Sequence, residues 1–100
     1  MDMNKDDYRK SVPLFKGVLC YFPDALEEVA KASMAGNKQH LDGQPLHWDK
    51  TKSMQQEDSL LRHLNDVAKG IEVDDDGVLH RAKIAWRALA SLQIYLENNK

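Results

Sequence analysis

Three stretches of the chain repeat apolar residues at the spacing of a helix, and the segments between them do not. The first, "PDALEEVAKASMAG", predicts a helix over residues 23–36. Leu26, Val29, Ala30 and Met34 form its inward stripe, Asp24 is placed to cap it, and Glu27 and Glu28 lie in the first turn, where the helix dipole favours negative charge. Gly36 and Asn37 loosen its end. The second, "SMQQEDSLLRHLNDVAKG", places Ser53 and Gln56 at capping-box spacing, Leu60, Leu61, Leu64, Val67 and Ala68 on a core face, and Gly70 where a helix stops. The third and longest runs from Val78 to Leu96 in "GVLHRAKIAWRALASLQIYL". Leu79, Ala82, Trp86, Leu89 and Leu96 share one of its faces, and Val78, Ala85, Leu92 and Tyr95 widen it.

The intervening segments read differently. Residues 1–11 are polar and charged, and they are expected to fray unless a partner orders them. "VPLFKGVLCYFP" is rich in β-branched and aromatic residues but is broken by Pro13, Gly17 and Pro23, which predicts an extended strap or edge strand laid over helices. Residues 37–52 lose the apolar period, and Asp42-Gly43 and Pro45 mark turns, so a long loop follows the first helix. "IEVDDDG" reads as a short acidic connection. The expected architecture is all-α: a small bundle of three main helices, with an extended N-terminal strap and a long loop between helices one and two.

Composition narrows the function classes. With 42% hydrophobic and 30% charged residues, neither a disordered chain nor a membrane protein is favoured, and no apolar run approaches the ~20 residues a bilayer span requires. The N-terminus "MDMNKDDYRK" carries charges where a signal peptide needs an apolar core, so a cytoplasmic protein is expected. Cys20 is the single cysteine, which excludes an internal disulfide and a Cys-rich zinc site; its apolar neighbours predict a buried thiol. A net charge of −2 gives no general attraction for nucleic acid, so any anion site must be local.

Such a site is visible in the third helix. His80, Lys83 and Arg87 fall within about 60° of one another on a helical wheel, together with Ile84, Ser91 and Ile94. No acid lies between Arg81 and Glu97 to make this an ordinary mixed surface. Cations interleaved with apolar side chains suit a nucleotide, whose phosphates need charged donors and whose base needs apolar contact. The competing reading is a solvated edge partly covered by another subunit. Arg62 and His63 on the second helix, and His40, His47 and Trp48 in the loop, which also carries Lys50 and Lys52, are further candidates for the same ligand. Trp48 is equally suited to stacking on a base or anchoring the loop.

Metal-assisted phosphoryl chemistry needs convergent carboxylates. Glu27 and Glu28 are adjacent and so face about 100° apart, while Asp74, Asp75 and Asp76 lack the alternating ligands of a calcium loop. The acidic run reads as linker and helix cap, and Asp58, Arg62 and Asp66 as a surface ladder. A metal site built from His40, His47, His63 and His80 is not expected, since no pair has i, i+4 spacing and no partner for their outer nitrogens can be identified.

In succession, "FPDALEEVAKASMAGNKQH", "LHWDK", "LLRHLNDVAKG" and "GVLHRAKIAWRALASLQ" resemble a small phage and prophage family, the dATP/dGTP diphosphohydrolase-like N-terminal domains, over about residues 13–96. The resemblance implies a phage setting, an α-helical fold and nucleotide chemistry. Many members carry a His-rich "HLxHAxxN" pattern in the last block. Here it maps onto His80, Lys83 and Arg87, with cations in place of the second His and the Asn. That departure retains phosphate affinity while removing groups that would do chemistry. The expected function is therefore a single nucleotide-binding domain over residues 12–98, behind a flexible residue 1–11 tail. It would act as a homo-oligomer that sequesters a phosphorylated nucleotide, a host immune signalling nucleotide among the candidates, without a cofactor. The first alternative is a Mg²⁺-dependent dNTP diphosphohydrolase using Glu27 or Glu28 with Asp66 or the Asp74 to Asp76 run; the second is a structural helical oligomer.

Overall fold

The computed structural model describes residues 4–40, 43–51 and 55–100, with the side chains of Gln39 and His40 outside that set. Among the described residues there are four α-helices: α1 over Lys5–Ser11, α2 over Pro23–His40, α3 over Gln56–Ala68 and α4 over His80–Asn98. Among the described residues there is no strand, only an isolated antiparallel bridge between Val73 and Leu79. The all-α expectation holds. No described helix is long and apolar enough to cross a membrane.

The N-terminal third departs from expectation. α1 is closed at its start by Asn4 Oδ1, which accepts the Asp7 N–H at 2.9 Å, while Asp6 and Asp7 in the first turn and Arg9 and Lys10 in the last complement the helix dipole. The extended strap is absent. Phe15–Leu19 instead makes a π-helical turn, closed by the Cys20 N–H on the Phe15 carbonyl, and the Phe22 N–H bonds the Val18 carbonyl on the way into α2. Local hydrogen bonding overrides the β-leaning composition here. Pro13 starts the turn, and Gly17 lies so near its ring that an added Cβ would sit 3.2 Å from Pro13 Cγ. Pro23 opens α2, where a missing N–H costs nothing. Cys20 is exposed rather than buried.

α2 runs four residues past Gly36, and Asn37 in its last turn reaches into the following loop. Its buried side chain donates from Nδ2 to the Gln44 carbonyl at 3.2 Å and accepts the His47 N–H at 3.1 Å. A residue read as loosening the helix is thus the clamp that holds the following loop. The capping box places Ser53 outside the described residues, and Gln55 caps α3 without a side-chain bond. The stop at Gly70 is as expected: its φ is +85°, its N–H bonds the Val67 carbonyl and the Ile71 N–H reaches the Asp66 carbonyl, which is a Schellman ending.

α4 packs on both α3 and α2. Small side chains let it approach closely: Ala32, Val78 and Ala82 make the buried cluster, with Ala35, Leu79 and Trp86 against it. Many positions of the predicted inward stripes are exposed instead, among them Met34, Leu61, Leu64, Leu89, Leu92 and Leu96. The radius of gyration is 15.9 Å, above the about 13 Å typical of a compact chain of this length.

The Asn37 clamp is testable. Asn37→Ala should destabilise the chain by about 1–2 kcal/mol in urea unfolding, the usual net worth of two hydrogen bonds whose other partners, on Gln44 and His47, lie at exposed residues. A change within experimental error would show that the loop is held elsewhere.

Candidate functional site

The seam between α3 and α4 is polar where a helical core is usually apolar. Gln56 and Ser59 of α3 and His80 of α4 are all buried, His80 to 2% exposure. They come together because the Schellman ending of α3 turns the chain back through a tight hairpin. Asp74 N–H bonds the Val78 carbonyl, Gly77 N–H bonds the Asp74 carbonyl, and His80 N–H bonds the Glu72 carbonyl, all at 2.9 Å. Gly77 adopts the positive φ of +82° that the turn requires. The first residue of α4 is thereby set directly against α3.

His63 and His80 meet with Nδ1 atoms 2.9 Å apart and ring centroids 5.1 Å apart. The other ring nitrogen of His80 faces Asp66 Oδ2 at 3.6 Å. One turn along α4, Lys83 Nζ donates to Asp74 Oδ2 and Asp76 Oδ2, each at 2.6 Å. One turn further, Arg87 Nη1 donates to Gln56 Oε1 at 2.7 Å, with its guanidinium 5.3 Å from the Trp86 ring centre. The strip His80, Lys83, Arg87 therefore faces α3 and the hairpin. It is not a solvated edge.

Charges along the seam act on one another. Burial is the main influence on the His63 ring, and with the Lys83 and His80 charges it lowers the pKa and favours the neutral imidazole. The Lys83 hydrogen bond holds the Asp74 carboxyl below the usual range, aided by the Asp75 N–H and opposed by burial. For Asp76, burial pushes upward, but bonds from Lys83 and the Val78 N–H bring the carboxyl below its ordinary value. Burial works against the Lys83 charge too, yet the two aspartates raise its pKa overall. Arg87 is shifted down by burial and by Arg62, which places the two guanidinium groups within electrostatic reach. The acidic run, read as linker and cap, is the counter-charge of Lys83. An aspartate two residues before another and followed by Gly is the only sequence signal of that turn.

Of the remaining candidates among the described residues, only Arg62 lies near this cluster. The His40 side chain and Lys52 fall outside the described residues. His47 is exposed, while Trp48 packs edge-on against Trp86 with centroids 5.3 Å apart, so the loop-anchor geometry is the one present. Lys50 lies 4.8 Å from the centre of the Trp48 ring and pairs with Glu97 of α4. An open groove of about 270 Å³ is lined by these tryptophans with Leu89, Ala90, Leu92, Gln93 and Leu96, and among the described residues no cation lines it. It is apolar and separate from the charged seam. On α2, Glu28 is paired with Lys31 at 2.8 Å. Arg62 is exposed, and among the described residues no ion pair joins it to Asp58 or Asp66.

The model of the family described as "dATP/dGTP diphosphohydrolase, N-terminal" matches residues 3–100. The chain belongs to this family. No curated protein and no solved structure matches it. Within the dATP/dGTP diphosphohydrolase N-terminal family, the α3–hairpin–α4 seam of this member is where imidazoles, carboxylates and cations converge.

The Lys83 pair gives a pH prediction. Both aspartates have lowered folded pKa values, so their stabilisation is complete above the ordinary value of about 3.9 and is lost as pH falls through the lowered ones. Lys83→Met should cost about 1–3 kcal/mol at pH 7 by urea unfolding. The gap to wild type should narrow progressively below about pH 4; a constant gap down to pH 2 would remove the pair as its source.

Proposed function

We propose that the chain binds a phosphorylated nucleotide, with the phosphates held on the α3–α4 face by Lys83 and Arg87 and with Arg62, His63 and His80 around them, and that it sequesters this ligand in the cytosol of an infected bacterium. One observation carries the reading: cations on successive turns of α4 converge on a polar seam, in a member of a family described by its action on dATP and dGTP. Lys83 is held in place by Asp74 and Asp76 and exchanges one anionic partner for another when phosphate arrives. Arg87 offers a planar fork of donors suited to phosphate oxygens.

Sequestration is preferred to turnover because the carboxylates are dispersed. Glu27 and Glu28 lie on α2, Asp66 faces His80, and Asp74 is bonded to Lys83. Hydrolysis is the second reading, favoured by the family's description and by the carboxylate of Asp74 beside two imidazoles.

The readings separate when the protein is incubated with dATP, dGTP and a cyclic dinucleotide, with and without Mg²⁺ or Mn²⁺, then denatured, and the released nucleotide is weighed by mass spectrometry. Intact ligand is expected; multiple-turnover release of pyrophosphate would decide for the hydrolase. Arg87→Ala should weaken binding by about 1.5–3 kcal/mol, or roughly ten- to a hundredfold, as should Lys83→Ala. Lys83→Ala also leaves two carboxylates without their cation, so its folding must be checked by circular dichroism. Unchanged affinity in a folded double variant would exclude the seam as the phosphate site.

We also propose that the chain acts as a homo-oligomer. The support is the run of exposed large apolar side chains Val12, Leu14, Phe15, Val18, Leu19, Tyr21 and Phe22, joined by Leu89, Leu92, Tyr95 and Leu96 on α4. Light scattering at tens of micromolar should give the mass of two or more chains, and a mass of 11.4 kDa would refute it.

A further inference from the structure

We infer that His63, Asp74 and His80 form a binding site for a divalent transition-metal ion of the zinc class. The inference is independent of the nucleotide reading, because it concerns the free protein and the metal alone. Each of the three residues offers one ligand atom, and the three atoms lie within 4.8 Å of one another.

Asp66 favours one tautomer of His80. Its carboxylate, an acceptor only, lies 3.6 Å from Nε2, longer than a hydrogen bond but near enough to favour a proton there and a lone pair on Nδ1. In the metal-free chain the His63 Nδ1, 2.9 Å away, must supply the hydrogen between the two rings. If the His63 proton moves to its other nitrogen, two lone pairs point into one space. Two nitrogens bound to one ion at about 2.0–2.1 Å stand about 2.9–3.4 Å apart as their angle opens from a right angle to the tetrahedral value. The observed separation lies at the near end of that range.

The carboxylate facing the far nitrogen of a ligating imidazole is the arrangement that fixes ring orientation and raises basicity in metal sites. Here it is Asp66, one helical turn from His63 on α3. Asp74 is the third ligand, and it sits on the hairpin, where about 1–1.5 Å of side-chain movement would bring it to ligand distance. Two imidazoles and one carboxylate suit zinc, cobalt or nickel far better than Mg²⁺ or Ca²⁺, which take oxygen donors. Three protein ligands leave a position open. Lys83 holds Asp74 Oδ2 at 2.6 Å, so lysine and metal compete for the same carboxylate.

The test is calorimetric titration of Zn²⁺ alone into chelator-treated full-length protein, with Co²⁺ absorption as a second readout of coordination. One ion per chain is expected. His63→Gln and Asp74→Asn, both at partly exposed positions, should weaken binding by more than the roughly 10- to 100-fold that loss of an orienting partner costs, and Asp66→Asn by about that amount. Asp58→Asn, elsewhere on α3, should leave it unchanged. His80→Ala removes the buried ligand and is informative only if it folds, which is why the decision rests on the two more exposed variants. Heats no larger than dilution in the wild type, or binding unaltered in both His63→Gln and Asp74→Asn, would overturn the site.

Discussion

The ammonium of Lys83, caught between the carboxylates of Asp74 and Asp76, fastens the hairpin after α3 to the second turn of α4. Everything notable about the seam follows from that attachment. It brings the chain back on itself sharply enough for His80 to begin a helix while buried against α3, and it holds Asp74 beside the imidazole pair. Lys83 is only 14% exposed at its side chain, so the trio is screened less than a surface ion pair. The desolvation that opposes the charges is offset by good hydrogen-bond geometry on both oxygens.

The rest of the seam obeys the same constraint. Buried Gln56 receives a bond from Arg87, and the two histidines satisfy one another. Among the described residues no buried side-chain nitrogen or oxygen lacks a hydrogen-bond partner. A polar interior of this kind specifies one register of α4 on α3, because sliding either helix by a turn would strand several groups at once. The apolar contribution is small by comparison, being carried by alanines and Val78.

Helical periodicity located α2, α3 and α4 well because each repeats its pattern over several turns. It failed over residues 12–22, where Val12, Phe15, Val18, Tyr21 and Phe22 favour a strand by composition but are overruled by i→i+4 and i→i+5 bonds around Gly17. It also marked Leu89, Leu92 and Leu96 as inward without saying what would cover them, since a wheel records which side is apolar and not which molecule lies opposite. The strip of His80, Lys83 and Arg87 was legible from spacing within one helix. Its partners were not: Asp74, Asp76 and Gln56 lie 9, 7 and 31 positions away from the residues they bind. The carboxylate that orients His80 likewise becomes visible only when α3 and α4 are side by side.

Trp48 and Trp86 are the only two tryptophans of the chain, and they touch. All indole emission therefore originates at a single contact between the long loop and the middle of α4. Near-ultraviolet excitation therefore reports whether the loop is docked, and through the Arg87 guanidinium over the Trp86 ring it also touches one end of the polar seam. The protein thus contains its own optical probe, placed where the loop, α4 and the seam meet.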